Sequence, residues 1–399
     1  MNSKKFFGAL FVIAILLIVP IAVTGITSGS PIHSGVTDHD NILRTSTQKY
    51  KFMPWVCQFC GSEKNYTSFI ERYHDLFTAL SYEQYYLAPN DTFQSLGVPD
   101  LVNISNMYHL PAYPMIVSNN PKYMHVLFTN ATIQKSFIRS AVMTAMANGF
   151  AGYNIDFEVP YFSDSANVTN FVENFSNALL AAGKQLTLDV PGFARGFSPS
   201  AHGSAYNYSA LSNTSVSLIV VMDYFSIGDF ETAVNYSVSH ISMNKLMIAL
   251  PDYSYAFYVN TTSNQPFPYN LIPPYVNSSY SGMYGALRGI LKSAREDHAN
   301  ITKHFGTFYG EPYYEIVYPG QPGVGNEFYY INKQAMDLRI NYLESMGITH
   351  IALWRAGAVD PSIISVLHQF KEHAERESAF LGLPNMFIDV AKTSKIWFY

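Results

Sequence analysis

Two carboxylates and an amide occupy every second position of a short run in the middle of the chain. The run reads FAGYNIDFE over residues 150–158. Alternate side chains of a β-strand point to opposite faces, so Asn154, Asp156 and Glu158 share one face and the aromatic and aliphatic residues share the other. An unpaired carboxylate is costly to bury, and such a polar face is therefore typical of a strand that lines an active-site cavity.

Carboxylates this close titrate as a coupled pair, in which one group keeps its proton to higher pH than the other. Glycoside hydrolysis uses this division, because one group protonates the leaving oxygen while another stabilises positive charge at the anomeric carbon. The alternative is a structural pair, Asp156 and Glu158, neutralised by Arg or Lys inside the fold.

Short apolar runs alternate with helical patterns from residue 51 onward, which is typical of repeated βα units. Strands are predicted near residues 52–57, 76–81, 113–117, 151–157, 185–190, 216–224, 245–250 and 348–354, and helices at 131–148, 167–182, 332–346 and 361–374. Eight strands predict an α/β fold, a (β/α)₈ TIM barrel over residues 50–374. Barrel enzymes carry their chemistry at the C-terminal strand ends, where Glu158 would lie.

The last two predicted strands are separated by far more residues than an ordinary connection needs. The intervening stretch, about 251–331, is rich in Tyr, Pro, Gly and Asn. It contains a helical pattern from Met283 to His298 and a hairpin-like pattern from Tyr313 to Tyr330. We interpret it as an insertion that forms one wall of a cleft. The C-terminal tail, 375–399, shows no clear pattern.

Residues 151–158 resemble the D-G-x-D-x-D-x-E motif of glycoside hydrolase family 18, the chitinase-like enzymes, with Ala151 and Asn154 in place of the first two acids. This Asn, and the Asp-Pro pair at 360–361, resemble the spore-cortex glucosaminidase branch. The segment VMDYF at 221–225 is similar to the M-x-Y-D motif of the family's sixth strand. Residues 348–357 are similar to its eighth strand, which ends in Trp354. The resemblance covers roughly residues 50–370.

This resemblance implies that Glu158 is the general acid/base and that Asp156 orients the 2-acetamido group of the substrate, with Asn154 as a lesser support. Tyr224 would hydrogen-bond the acetamido oxygen, and Trp354 would form an apolar floor beneath the sugar. The acetamido oxygen is then the nucleophile, and water opens the resulting oxazolinium ion with retention. The implied activity is a retaining β-N-acetylglucosaminidase or chitinase.

Phe225 stands where the family has Asp after the sixth-strand Tyr. Asp223 lies on the other side of Tyr224, and strand alternation points it to the opposite face unless a bulge re-aims it. A non-catalytic carbohydrate-binding protein on the same barrel is therefore the alternative function, and the presence of Glu158 argues against it.

Residues 1–25 read as a signal peptide or an N-terminal membrane anchor, because two lysines precede an apolar run over 6–23. Residues 26–49 read as a flexible linker. Twelve Asn-x-Ser/Thr acceptors indicate a glycan-coated surface, although an Asn/Ser/Thr-rich composition would also produce them. We expect an extracellular or cell-surface location.

Composition limits the partners. A net charge of −5 without a Lys/Arg cluster argues against nucleic acid. The twelve histidines show no metal spacing, so we expect no metal and no cofactor. The resemblance implies a polysaccharide or glycan containing N-acetylhexosamine as partner. We expect a monomer. Only 13% of residues are charged, which suggests adaptation to acid.

Cys57 and Cys60 are predicted to form a local disulfide, with a redox motif as the alternative.

Overall fold

Eight parallel strands close into a barrel. The computed structural model describes residues 50–59, 66–89, 92–193, 205–224, 226–252, 255–260, 265–266, 284–320, 324–357 and 359–381. The barrel strands are β1 (Lys51–Val56), β2 (Leu80–Leu87), β4 (Ala112–Ser118), β5 (Gly152–Phe157), β6 (Gln185–Pro191), β7 (Leu218–Met222), β8 (Leu246–Pro251) and β14 (His350–Trp354). Strand β1 pairs in parallel with both β14 and β2, which closes the sheet. The predicted TIM barrel is thus confirmed.

Helices connect most of these strands. They are α1 (Tyr66–Tyr73), α2 (Val102–Met107), α3 (Pro121–Thr129), α4 (Ala131–Asn148), α5 (Ser165–Ala181), α6 (Tyr208–Ser212), α7 (Ile227–His240), α8 (Tyr284–Glu296), α9 (Lys333–Ser345) and α10 (Pro361–Leu381). Within the described ranges, none of them is both long and apolar enough to cross a membrane. Helix α10 continues past residue 374, where the sequence pattern placed its end.

The second barrel strand differs most from expectation. The apolar pattern favours residues 76–81, but the structure forms a 3₁₀ turn at His74–Leu76 and starts β2 at Leu80. Strand β2 contains a bulge between Glu83 and Tyr85, and it also pairs with the short antiparallel strand β3 (Phe93–Ser95). Polar residues at the bulge interrupt the apolar pattern, which hid the second half of the strand.

Local sequence fixes the entry into β5, the fourth strand of the barrel. The side chain of Asn130 caps α4 by accepting from the amides of Thr132 and Ile133 at 3.1 and 3.2 Å. Gly149 ends the helix with φ of 70°, a conformation that costs glycine little. A Cβ at Gly152 would lie 1.7 Å from the Gln185 carbonyl oxygen, so only glycine permits the close pairing of β5 with β6.

The outward face of β5 is anchored by aromatic packing. Tyr153 is fully buried, donates to the Ala141 carbonyl of α4 at 2.9 Å, and packs against Phe175 of α5. Burying a large apolar side chain contributes about 1.5–3 kcal/mol. A one-residue register slip would turn Tyr153, Ile155 and Phe157 away from the helices and into the barrel, so their packing holds the polar residues toward the barrel axis.

The insertion forms a second sheet between β8 and β14. Its strands are β9 (Tyr255–Asn260), β10 (Gln265–Pro266), β11 (Asn300–Gly306), β12 (Glu311–Val317) and β13 (Val324–Tyr329), all paired antiparallel. The predicted helix and hairpin correspond to α8 and to β12 with β13. Arg339 of α9 and Glu311 of β12 form a buried ion pair that ties the insertion to a barrel helix.

Candidate active site

The polar face of β5 opens at the C-terminal mouth of the barrel. Asn154 is fully buried, Asp156 is half-buried and Glu158 is exposed, so the exposure of these polar side chains increases from the barrel interior toward solvent. The amide of Glu158 donates to the Ser118 carbonyl at 3.0 Å, which extends the β4 pairing beyond the end of β5. Backbone pairing therefore holds Glu158 at the rim.

Burial raises the pKa of Asp156 well above its usual value, and the charges of Glu158 and then Glu83 raise it further. Its Oδ1 atom is buried and makes no hydrogen bond. Asp156 is therefore disposed to hold a proton, while Glu158 contacts solvent.

A hydrogen-bonded row crosses from β5 to β6 behind Asp156. Thr187 donates to Asn154 Oδ1 at 2.5 Å, and Asn154 Nδ2 donates to Asp189 Oδ2 at 2.5 Å. Asn154 pairs with Thr187 in the strand register, so Asp156 and Asp189 occupy the next inward positions on neighbouring strands. Asn154 therefore orients a second carboxyl group, that of Asp189.

Sequence reasoning missed Asp189. Burial and the charge of Asp156 raise the pKa of Asp189 well above its usual value, while the hydrogen bond from Asn154 opposes this shift. Asp189 Oδ1 is also buried without a hydrogen bond. The available signal was a lone acid in the strand QLTLDVP, at an inward-facing position.

Glu83 of β2 was also missed. It lines a cavity of about 460 Å³ together with Asp156 and Glu158, and the walls include Tyr86 and Tyr123. Burial raises the pKa of Glu83 to about 7, the charge of Arg355 opposes this and the charge of Glu158 adds to it. The cavity therefore presents three carboxyl groups.

Tyr224 and Trp354 lie in the barrel interior. Both pack against an apolar cluster that includes Trp55, and the rings of Trp354 and Trp55 meet edge to face at 5.9 Å. The amide of Arg355 donates to Asp252 Oδ1 at 2.7 Å, which fixes the backbone after Trp354. The role of Trp354 as a floor beneath the sugar stays a prediction.

Asp223 is not brought together with the other candidate residues. It is fully buried and faces Arg339 and Asp229, which lie on helices outside the barrel. Neighbouring side chains of an extended chain point to opposite faces, and Tyr224 points inward, so Asp223 points outward toward the helices. Asp223 therefore does not join the site described here, and Phe225 lies outside the described residues.

No cluster of three or more His, Cys, Asp or Glu suited to a metal ion occurs in the part of the chain that the structure describes. Cys57 is disulfide-bonded, in line with the predicted local disulfide, and Cys60 lies outside the described residues.

Comparisons with known proteins agree with this architecture. YdhD of Bacillus subtilis (strain 168), named a putative sporulation-specific glycosylase, is 20% identical over 310 residues, which cover 72% of this chain and 67% of that protein. A class V chitinase from Pseudomonas fluorescens has 18% identity and a TM-score of 0.64, covering 80% of this chain and 99% of that one. The spore cortex-lytic enzyme SleL of Bacillus megaterium has 14% identity and a TM-score of 0.67, covering 80% and 73%.

The family model described as Glycosyl hydrolases family 18 matches residues 59–358. The match includes the β5 motif, the segment around Tyr224 and the strand that ends at Trp354. Because it spans well over half of the chain, this protein belongs to glycosyl hydrolase family 18.

Proposed function

We propose that the protein hydrolyses β-linked glycans containing N-acetylhexosamine, with retention and with assistance from the substrate's acetamido group. The observation that carries the proposal is the exposed Glu158 two residues beyond the half-buried Asp156, both lining one cavity at the barrel mouth. Glu158 can reach a bound glycan and solvent water. Asp156 can reach only what enters the cavity.

Glu158 donates the proton to the leaving oxygen and later takes one from water. Asp156 is a poor nucleophile, because its raised pKa favours the neutral form. The nucleophile is therefore the acetamido oxygen of the substrate, and positive charge develops on the oxazolinium ion. That charge favours ionisation of Asp156, so Asp156 stabilises the intermediate more than the ground state.

Tyr224 and Trp354 complete the site from below. Trp354 offers an apolar surface to the sugar ring, and its edge-to-face contact with Trp55 holds the ring in place. The Tyr224 hydroxyl donates to the acetamido oxygen. Asn154 and Asp189 act behind Asp156, where Asn154 donates to Asp189 and the charge of Asp156 helps to raise the pKa of Asp189.

We propose that the enzyme acts outside the cell, exported or anchored through residues 6–23. The Asn-x-Ser/Thr acceptors support this location, because the eight whose burial the structure describes are exposed or half-exposed. They are Asn103, Asn130, Asn167, Asn174, Asn207, Asn213, Asn235 and Asn300. The candidate substrates are accordingly extracellular or cell-wall glycans.

The test is incubation of the full chain and of its Glu158→Gln variant with N-acetylglucosamine oligomers at acidic and neutral pH. Product masses report cleavage, and the anomeric form of the first product, read by NMR, reports retention. Binding without cleavage by the wild-type chain would favour the alternative, a carbohydrate-binding protein. Inverted product would refute substrate assistance.

A further inference from the structure

Glu83 is a charged residue of the cavity that the proposed chemistry does not use. Its Oε2 atom lies 3.1 Å from Cys57 Sγ, and its carbonyl oxygen accepts from Gln58 Nε2 at 3.2 Å. Both contacts come from the segment that follows β1. The main chain of Glu83 is thus held at the wall between the ends of β1 and β5, and its carboxylate lies against the disulfide sulfur of Cys57.

Three ionisable groups from β5 and from the end of β14 lie near Glu83. Glu158 at the end of β5 raises its pKa, Arg355 after β14 lowers it, and Asp156 lines the same cavity. Arg355 is 7% exposed and does not line the cavity. The disulfide at Cys57 adds no charge.

A ligand in the cavity therefore meets acidic side chains and no basic ones among the described lining residues. The described lining of the cavity contains three carboxyl groups and no Lys, Arg or His. Glu158 must carry a proton when it acts as the acid, and Asp156 is disposed to be neutral. Glu83 takes no part in bond breaking, so its charge can change without stopping the reaction.

We propose that Glu83 is a specificity-determining residue that makes the cavity select uncharged N-acetylhexosamine glycans over glycans that carry carboxylates. This inference rests on the proposed hydrolase function and names the substrate class for the same site. The ionised carboxylate of Glu83 repels an anionic sugar. The protonated form instead donates a hydrogen bond to a hydroxyl or amide of the glycan.

The direction of the pH dependence follows from the pKa of about 7. Below pH 7 Glu83 is mainly neutral, and above it mainly ionised. A carboxylate-bearing glycan keeps its own charge throughout this range. Selection against it therefore strengthens as pH rises through 7.

The experiment compares two oligomers of equal length, an N-acetylglucosamine tetramer and a tetramer in which one sugar bears a lactyl carboxylate. The ratio of their kcat/KM values is measured from pH 5.5 to 8.5, because effects common to both substrates cancel in the ratio. We expect the preference for the uncharged tetramer to rise roughly tenfold across this range. Glu83→Gln is expected to give a flat ratio, and Tyr123→Phe, a neutral change in the same wall, to keep the rise.

A second readout uses the Glu158→Gln variant, which binds the oligomers without cleaving them. Calorimetric affinities should show the same preference, with a midpoint below that of the wild type, because the charge of Glu158 no longer raises the pKa of Glu83. Cleavage with a ratio independent of pH, or a rise that persists in Glu83→Gln, overturns this inference alone. Failure to cleave either tetramer overturns the hydrolase proposal and this inference with it.

Discussion

Replacing Asp189 with asparagine is expected to stabilise the fold at neutral pH. Asp189 is 2% exposed, and burial together with the charge of Asp156 raises its pKa well above the usual value. The stability associated with such a group is fully present below the unfolded-state pKa, about 3.9, and is lost as pH rises toward the folded-state pKa. An amide is neutral at every pH and escapes this loss.

The magnitude follows from the repulsion between two buried carboxyl groups. Two charges about 5 Å apart on neighbouring strands repel by roughly 3 kcal/mol at an effective dielectric of about 20, and burial together with this repulsion raises the pKa of Asp189. Allowing about 1 kcal/mol for altered hydrogen bonds, we expect a gain of roughly 2–3 kcal/mol at pH 7.

The assay is urea unfolding of wild type and Asp189→Asn at pH 5, 6 and 7. The difference should shrink as pH falls, because the unfolded wild-type chain then also binds this proton. The matched control is Thr187→Val, which removes a hydroxyl from the same row but no carboxyl, and its loss of about 1 kcal/mol should not depend on pH. Destabilisation of Asp189→Asn at pH 7, or a difference that does not vary with pH, would refute the reasoning.

Three further changes test the site and its support. Glu158→Gln should lower kcat by about 10²–10⁴ without changing the urea midpoint, because the exposed proton donor is lost while its shape is kept; retained turnover would remove Glu158 from its role. Asp156→Asn should lower kcat more than it changes KM, since stabilisation of the oxazolinium ion is lost, and an effect on KM alone would contradict substrate assistance. Arg339→Met should lower the free energy of unfolding by about 3–5 kcal/mol, because it removes the cation buried beside Glu311. The double variant Arg339→Met with Glu311→Leu should recover much of this loss. Equal losses in the single and double variants would show that the ion pair is not the cause.

The fold was predictable where the sequence follows one simple period. The alternation around Asp156 identified both faces of β5, and the helical spacing of 131–148 matched α4 because an Asn cap and a C-terminal glycine flank it. Strand β2 was misplaced because Glu83 and the bulge break the alternation on which the prediction depends. Glu83, for which we propose a role in selectivity, is one of the polar residues that obscured the strand.

The candidate site was predictable only as far as it lies on one strand. Glu83 and Asp189 lie in strands whose other residues have the pattern of buried core. Whether these two side chains belong to the site depends on which strands become neighbours after barrel closure. Asn154 stands where the family motif has an acid, and in isolation it suggests a lost charge. In the structure its amide donates to Asp189 of the adjacent strand, so a buried carboxyl group is present beside Asp156 but comes from β6. A motif read along one strand therefore undercounts the acids of this barrel, because the cavity assembles them across strands.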